Sequence, residues 1–468
     1  MTTSPKPNLI IFFTDQQRWD TLGLNGCPLG LTPNLDRLAR SGTFFKEATT
    51  PQPVCGPARS CLQTGQYATT TGVWHNGPGL KKDAATLAGR FREGGYRTGY
   101  IGKWHLSEAG HEAVPEENRG GYQDWLAANV VELTSGPYSL QLWNERNEAV
   151  QLPGYRVDAQ TDAAIRYVHE RSKSPEEPYL LCLSFLEPHH QNTDDSYPAP
   201  HGLEEAYRGG WMPPDLQALG GTAAQHWAGY CGMVKRLDDA LGRLVDAVES
   251  LGQADNTVFA FVSDHGCHFK TRNGEYKRSP HETSLRIPFV LWGGPWNGGG
   301  EKTCPASLVD LMPSLLDTAG LPIPGSVQGR SLLPAAARND TSGLPAESFS
   351  QFGDGGVNPG RVLRTSRWKY AVQAGDEYKR SGWAPEYTET HLYDLRTDPY
   401  ELANLVAEPA HEALRASLRD RLLARMAEIG EEPADILPAG LDRGFTQRTV
   451  DYPNEVRLAE TDKKGLQR

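Results

Sequence analysis

A cysteine, a proline and an arginine at alternate positions form the first group of residues that could do chemistry. Cys55, Pro57 and Arg59 follow a loop rich in Thr, Pro and Gln. Proline is tolerated in the first turn of a helix, so the spacing predicts a helix with Cys55 at its N-terminus. Free amides and the helix dipole attract anions there, and Arg59 adds a fixed positive charge one turn further on. The group predicts an anion site, with a buried structural thiol as the alternative.

Polar side chains also follow each of the predicted buried strands. Asp15, Lys103, His189 and Asp264 each stand at or just beyond the end of an apolar run. Ligands of doubly wound sheets bind outside the carboxyl ends of the strands. The sequence therefore predicts one functional site at which these four side chains meet.

Two of these strand ends predict a metal site. Asp15 and Asp264 offer carboxylate oxygens, which hard divalent cations prefer, while Gln16 offers a carbonyl oxygen and His265 an imidazole nitrogen. Each residue taken alone is also explained by a helix cap or a solvent-facing turn. Together, at neighbouring strand ends, they favour a bound cation.

These motifs resemble those of the type I sulfatases, a family of the alkaline phosphatase superfamily. Residues 55–59, Cys-Gly-Pro-Ala-Arg, match the family's Cys-x-Pro-x-Arg signature, and Gly-Lys-Trp-His (102–105) and Phe-Leu-Glu-Pro-His (185–189) match two further motifs. The matching stretches continue to about Leu405. The resemblance implies a sulfuric ester hydrolase in which a maturase oxidises Cys55 to formylglycine, an aldehyde whose hydrate is the nucleophile.

The resemblance also implies one bound divalent cation. Calcium is the implied ion, with magnesium and manganese as alternatives. Its implied ligands are Asp15, Gln16, Asp264, His265 and residue 55. Many sulfatases have a second Asp in place of Gln16 and an Asn in place of His265, so Gln16 leaves the ion with one negative charge fewer.

Further catalytic roles follow from the matching motifs. The resemblance implies Lys103 and Lys277 on the sulfate oxygens, Arg59 beside the developing charge, His105 on the formylglycine hydroxyl and His189 as the acid for the leaving group. The resemblance implies Lys277 as the second sulfate-binding lysine, because its spacing from Asp264 and from Pro288 is that of the family's lysine. By sequence alone, Lys270 and Arg278 compete for that role.

Substrate identity is what the sequence leaves most open. The loop after Asp264 differs from the Gly-rich segment that many family members carry at this place. Weaker substrate contacts are predicted for His190, His268, Lys270, Arg272 and Asn273, and His190 is also the alternative acid. We expect a small-molecule or carbohydrate sulfate ester.

The composition of the chain restricts its possible binding partners and its cellular compartment. The 468 residues carry a formal net charge of -11, which argues against nucleic acid as a partner. The first apolar run, 9–13, is too short for a signal peptide, and no run approaches the ~20 apolar residues of a membrane span. Seven cysteines without paired spacing favour a reducing compartment. We predict a cytoplasmic protein without membrane association, and its oligomeric state stays open.

The hydrophobic pattern predicts an α/β fold with a doubly wound, mainly parallel sheet, as in the alkaline phosphatases and sulfatases. Continuous apolar strands (8–14, 97–102, 179–186, 257–263) alternate with helices (35–40, 84–93, 157–171, 230–251). Residues 106–153 show little periodicity and are expected to be irregular. The predicted units are a catalytic domain at 1–337, a smaller C-terminal subdomain of antiparallel sheet plus helix at 346–436, and a tail at 437–468.

Two other functions compete with sulfate ester hydrolysis. A two-metal phosphatase of the superfamily needs extra Asp and His ligands where this chain has Lys103, His105 and Lys277, and phosphonate ester hydrolases lack the Lys-Trp-His segment. A non-catalytic anion-binding relative is the second alternative. The chain has Cys55, Pro57 and Arg59 as well as every charged residue of the predicted site, which argues against a non-catalytic protein.

Overall fold

A computed structural model describes residues 6–439 of the chain. The strands are β1 (Asn8–Thr14), β2 (Thr43–Phe45), β3 (Ala48–Thr49), β4 (Arg97–Lys103), β5 (Asp124–Ala128), β6 (Ser139–Asn144), β7 (Ala149–Pro153), β8 (Tyr179–Ser184), β9 (Thr257–Ser263), β10 (Phe289–Trp292), β11 (Gly300–Lys302), β12 (Ala306–Ser307), β13 (Glu347–Phe352), β14 (Gly360–Thr365), β15 (Trp368–Gln373), β16 (Glu386–Asp394) and β17 (Asp435–Leu437). The α-helices are α1 (Pro33–Ser41), α2 (Cys55–Thr64), α3 (Ala68–Thr71), α4 (Leu87–Glu93), α5 (Val131–Thr134), α6 (Arg156–Arg171), α7 (Leu203–Tyr207), α8 (Pro214–Ala218), α9 (Ala223–Ser250), α10 (Glu282–Leu285), α11 (Leu311–Thr318), α12 (Leu333–Arg338) and α13 (Glu412–Glu428).

Ten strands form one large sheet in the order β11-β2-β10-β9-β1-β8-β4-β5-β6-β7. The five central strands, β9-β1-β8-β4-β5, are all parallel, and antiparallel pairing with β10 and β6 borders them on the two sides. Parallel strands require crossover connections, which the helices supply. The predicted doubly wound, mainly parallel α/β fold is therefore confirmed.

The alternation of side chains along β1 explains why this strand is apolar throughout. Leu9, Ile11 and Phe13 lie in the core on one face of the sheet, and Ile10 and Phe12 lie in the core on the other. Helices α2, α4 and α11 cover the first face, and α1, α6 and α9 cover the second. A strand buried on both faces needs apolar residues at every position.

The strand register brings the carboxyl ends of the central strands level with one another. Thr14 pairs with Ser263, and Ser184 pairs with both Phe13 and Gly102. The residues that follow these positions therefore emerge side by side at one edge of the sheet. That edge is where the sequence predicted the functional site.

Residues 106–153, expected to be irregular, contain β5, α5, β6 and β7 instead. β5 and β6 are short, and β7 alternates exposed and half-buried residues at the sheet edge. Neither a long apolar run nor a helical period marks such strands, which is why the pattern missed them. Helix α9 also begins at Ala223, before the predicted start at 230.

The smaller sheet has the order β13-β14-β15-β16-β17 and is antiparallel except for its last pair. Helix α13 packs on this sheet, in agreement with the predicted antiparallel sheet plus helix. The boundary between the catalytic domain, ending at residue 337, and the C-terminal subdomain, starting at residue 346, stays a prediction.

The predicted tail, 437–468, is described only in its first residues. Leu437 ends β17, and residues 440–468 lie outside the described range. Among the helices of residues 6–439, we find none with the length and hydrophobicity that crossing a membrane requires.

Candidate active site

Helix α2 brings Cys55 to the edge at which the central strands end. Cys55 is the first residue of the helix, and Val54 before it is extended. On one side of α2, Ala58 and Leu62 pack in the core beneath the large sheet. On another side, Cys61 packs in the core of the small sheet. Because α2 is packed between two cores, the position of residue 55 is fixed.

The Cys55 side chain lies among cationic groups. Its Sγ is 2.9 Å from Lys277 Nζ and 3.4 Å from His265 Nε2, and His105 also lowers its pKa. Burial raises the pKa of the thiol, but the charges of Lys103, Lys277 and His265 outweigh burial and hold the pKa well below its usual range. The site therefore stabilises negative charge on the side chain of residue 55.

Arg59 ties three strand ends together. Its Nη1 donates to Lys103 O at 2.8 Å and to Ser184 Oγ at 2.7 Å, and its Nη2 donates to Asp15 Oδ2 at 2.9 Å. The guanidinium also lies over the Phe13 ring, 4.9 Å from its centroid. Arg59 thus carries fixed positive charge into the site while holding β1, β4 and β8 in place.

Four predicted metal ligands meet beside the helix terminus. The ligand atoms of Asp15, Cys55, Asp264 and His265 all lie within 4.8 Å of one another, and all four residues are buried. His265 Nδ1 donates to Gly266 O at 2.9 Å, which leaves the lone pair of Nε2 facing the group. Burial and, next in size, the adjacent Asp15 carboxylate raise the pKa of Asp264 to about 7.

Gln16 adjoins this group through its backbone and carries a neutral side-chain oxygen. Its backbone N–H donates to Asp264 Oδ1 at 2.9 Å, and its Nε2 donates to Tyr197 Oη at 3.1 Å and to Cys267 Sγ at 3.3 Å. Its Oε1 is buried without a hydrogen-bond partner among the described residues. A buried oxygen without a partner, on a residue bonded through its backbone to Asp264, fits a ligand of a divalent cation. The residues at this site can therefore hold the ion that the resemblance implies.

Lys103 is buried between two carboxylates. Its Nζ lies 2.8 Å from Asp15 Oδ2 and 2.9 Å from Glu132 Oε1. Glu132 is a site residue that sequence reasoning missed, because it lies in α5, within the segment expected to be irregular. The signal that could have found it is the strand β5, whose end comes just before Glu132 in the chain.

His189 and Lys277 contact each other at the side of Cys55. Lys277 Nζ donates to His189 Nε2 at 3.1 Å, and His189 Nδ1 donates to His190 O at 2.7 Å. Burial lowers the pKa of His189, and the charge of Lys277 lowers it further. Arg278, a competitor for the role of Lys277, instead pairs with Asp354 at 2.8 Å.

Two of the predicted substrate contacts hold the backbone of the Lys277 loop instead. His268 Nε2 donates to Lys277 O at 2.9 Å, and Asn273 Nδ2 donates to the same oxygen at 3.0 Å. His268 is 0% exposed. Both side chains thus help to set the course of the loop.

The remaining predicted contacts lie at the margin of the site or away from it. Arg272 donates to two backbone oxygens of residues 400 and 401, in the C-terminal part of the chain. Lys270 pairs with Asp195 at 2.8 Å and lies over the Tyr276 ring. His190 is stacked between His189 and Tyr276, with ring centroids 4.3 and 4.4 Å away. Of these residues, only His190 adjoins the Cys55 group.

This sheet, with its site at the carboxyl ends of the parallel strands, has the architecture of the alkaline phosphatase superfamily. Residues 7–321 match the Sulfatase family model, and residues 274–428 match the model of the C-terminal region of N-sulphoglucosamine sulphohydrolase. The chain therefore belongs to the sulfatase family, and it is a sulfuric ester hydrolase.

A curated relative and a solved structure agree with this assignment over most of the chain. The chain is 30% identical to the ulvan-active sulfatase of Formosa agariphila, across 91% of this chain and 82% of that protein. It superposes on the crystal structure of the yidJ protein from Bacteroides fragilis with a TM-score of 0.78 and 25% identity, covering 92% of this chain and 97% of that one.

Two more distant structures share the fold alone. One is a complex with D-glucosamine-2-N,6-O-disulfate, at a TM-score of 0.73 and 22% identity over 91% of this chain and 98% of that one. The other is the phosphonate monoester hydrolase of Agrobacterium radiobacter, at a TM-score of 0.66 and 23% identity over 91% and 96%. The fold by itself therefore does not separate sulfate from phosphonate esters.

Proposed function

We propose that this sulfatase hydrolyses a sulfate monoester to an alcohol and sulfate, with formylglycine at position 55 and one divalent cation. The observation that carries the proposal is the set of cationic groups around one buried side chain. Lys277 Nζ lies 2.9 Å from Cys55 Sγ, and despite burial the pKa of the thiol is held well below its usual range. A nucleophile that reacts as an anion needs such surroundings.

The surroundings of Cys55 fit formylglycine because they favour a negatively charged oxygen in the place of the sulfur. The hydrated aldehyde supplies two hydroxyls, one to attack sulfur and one whose deprotonation expels sulfate. His105 lowers the pKa of the side chain of residue 55 and serves as the acceptor of its proton. A serine at this position would have no second hydroxyl and would stop at a stable sulfate ester.

Positive charge for the sulfuryl oxygens comes from two lysines. Lys277 contacts residue 55 directly, and Lys103 contacts Asp15, whose carboxylate lies 3.5 Å from Cys55 Sγ. Each ammonium group has three N–H donors, so each has a donor to offer to a sulfate oxygen. These donors offset the charge that develops on the sulfuryl group in the transition state.

His189 acts as the general acid for the leaving group. In the ligand-free site its Nε2 accepts a hydrogen bond from Lys277, so this nitrogen carries no proton. A bound sulfate group turns the Lys277 ammonium toward its own oxygens and adds negative charge beside the imidazole. Both changes favour the protonated imidazole, which then donates to the departing oxygen.

Asp15, Gln16, Asp264, His265 and residue 55 would hold the cation. When bound, a cation supplies Lewis-acid activation of the nucleophile and offsets the repulsion between the two carboxylates. Calcium is the ion that we propose, because oxygen ligands predominate in this set. Magnesium and manganese are the alternatives that metal analysis would distinguish.

A carbohydrate or other small-molecule sulfate ester is the proposed substrate. The relative from Formosa agariphila is named as active on ulvan, and a structure of the same fold holds a sulfated glucosamine. These names support placing sugar sulfates first in a substrate panel. Alkyl and aryl sulfates complete the panel.

The test is mass spectrometry of the peptide that contains residue 55, after co-expression with a formylglycine-generating maturase. We expect an aldehyde in place of the thiol and turnover in proportion to it. The variant Cys55→Ala should fold and bind sulfate esters but not turn them over. Full turnover with an unmodified thiol would contradict the proposed nucleophile, and two tightly bound zinc ions would favour a phosphatase.

A further inference from the structure

Glu132, which follows a fifth strand, β5, lies in the site beside Lys103. The proposed reaction gives it no role. Beyond the ends of β4 and β5, Trp104 N donates to Ala128 O and His105 N donates to Asn129 O, both at 2.9 Å. The strand pairing therefore continues into the site. The chain after Asn129 turns at the same edge from which Asp15, Lys103, His189 and Asp264 emerge.

Two contacts hold the Glu132 backbone in place. Its neighbour Val131 is buried in a cluster that includes Leu140 and Leu186. Gln191 Nε2 donates to Glu132 O at 3.0 Å. Because Gln191 follows closely after His189, this bond also joins the start of α5 to the loop of the general acid. Glu132 is therefore fixed relative to two catalytic segments.

The Glu132 side chain faces Lys103 and His105. Its Oε1 lies 2.9 Å from Lys103 Nζ and 3.8 Å from His105 Nδ1. Glu132 Oε2 and His105 Nδ1 are both buried without a hydrogen-bond partner among the described residues. Leaving a buried acceptor and a buried donor unsatisfied costs more than pairing them, so a small movement that joins the carboxylate to the Nδ1–H would be favourable.

We propose that Glu132 is a positioning residue for the sulfatase reaction. Its carboxylate accepts the Nδ1–H of His105, so that the lone pair of Nε2 faces residue 55. A carboxylate behind a functional imidazole fixes the tautomer and the ring orientation in this way. The inference rests on the proposed role of His105 toward residue 55.

The same carboxylate has a second effect, through Lys103. With Asp15 on one side and Glu132 on the other, the Lys103 ammonium is paired with two negative charges. This arrangement holds the ammonium in position but weakens its attraction for free sulfate. Glu132 therefore favours turnover at the expense of product binding.

The test is Glu132→Gln, which keeps the shape of the side chain and removes its charge. We expect kcat to fall on the order of 10- to 100-fold, as for lost partners of functional imidazoles. We expect inorganic sulfate to inhibit several-fold more tightly, because a negative charge beside Lys103 is gone. A residue that only supports the fold would weaken both turnover and sulfate binding.

Glu132→Asp separates the two effects and serves if the first variant does not fold. The shorter side chain keeps a charge near Lys103 but moves away from the more distant His105. We expect a lower kcat with an unchanged inhibition constant for sulfate. Glu389→Gln is the control, since Glu389 is equally buried and bonded to Arg415 but lies in the small sheet.

Failure of this inference is distinguishable from failure of the proposed function. The formylglycine content of each variant is measured first, by mass spectrometry. Wild-type protein that turns over sulfate esters without the aldehyde would contradict the proposed function. If active, aldehyde-bearing protein kept its kcat, or bound sulfate no more tightly, after Glu132→Gln, the inference would be overturned.

Discussion

Two regions supply the side chains around residue 55, and they position them by different means. At the sheet edge, Asp15, Lys103 and Asp264 follow strands whose parallel register sets them side by side. Backbone hydrogen bonds between strands fix these positions, whatever the neighbouring side chains are. The edge is therefore rigid because of the fold itself.

The loop that carries Lys277 is positioned by side chains instead. Residues 264–281 contain no helix or strand. His268 and Asn273 hold the Lys277 carbonyl, and Phe269 and Arg278 have φ values of 49° and 69°, in the left-handed region. Such a course depends on particular residues rather than on a repeated pattern. His268 and Asn273 thus support the geometry of the loop, although their residue types suggest contact with substrate.

The largest effect should follow from removing a ligand at the rigid edge. Asp264→Ala takes away one of two carboxylates from the group that fits the cation. We expect loss of the bound metal together with activity, on the order of 10³-fold or more, because a cation contributes several kcal/mol to charge stabilisation. Metal content by mass spectrometry and turnover are measured on the same sample.

Asp238→Ala is the matched control for that experiment. Asp238 is also a buried aspartate, but it accepts the backbone N–H groups of Asn34 and Leu35 at the start of α1. Its removal should lower stability by ~1 kcal/mol through the lost cap and leave metal content unchanged. Full metal occupancy in Asp264→Ala would show that the cation does not bind at this edge.

The next effect concerns the acid, and it should depend on the leaving group. A nitrophenolate departs without a proton, whereas an alkyl or sugar alkoxide needs one. His189→Ala should therefore slow alkyl and sugar sulfates by ~10²–10⁴-fold and nitrophenyl sulfate much less. His105→Ala should slow both classes, because its partner is residue 55 in each case.

The measurement is the steady-state rate of each variant with a nitrophenyl sulfate and with an alkyl or sugar sulfate. Equal slowing of both substrate classes by His189→Ala, with metal and fold intact, would make His189 a positioning residue. His190, which stacks on His189 with ring centroids 4.3 Å apart, would then be the next candidate for the acid.

The contrast between edge and loop also explains what the sequence could predict. Asp15 and Asp264 stand directly after apolar runs, so strand pattern and residue type together located them. Glu132 escaped because β5 is short and its surroundings lack periodicity. The sequence predicts substrate contact for His268 because the local sequence around a histidine does not show whether its ring contacts a ligand or a backbone carbonyl. The hydrogen-bond partner of the ring depends on the tertiary structure, which a local sequence pattern does not reveal.

The smallest effect should come from the loop, where the question is whether His268 supports Lys277 or contacts substrate. His268→Ala removes one of two donors to the Lys277 carbonyl, so Lys277 should be held less precisely while its charge remains. We expect about 10-fold weaker binding, equivalent to ~1.4 kcal/mol, and the loss should be the same for every sulfate ester and for inorganic sulfate. Arg272→Ala, in the same loop but bonded to the C-terminal part of the chain, should leave these constants unchanged. If His268→Ala weakened some esters while inorganic sulfate still inhibited as in the wild type, the imidazole would contact substrate, and the sequence-based assignment of His268 would be right.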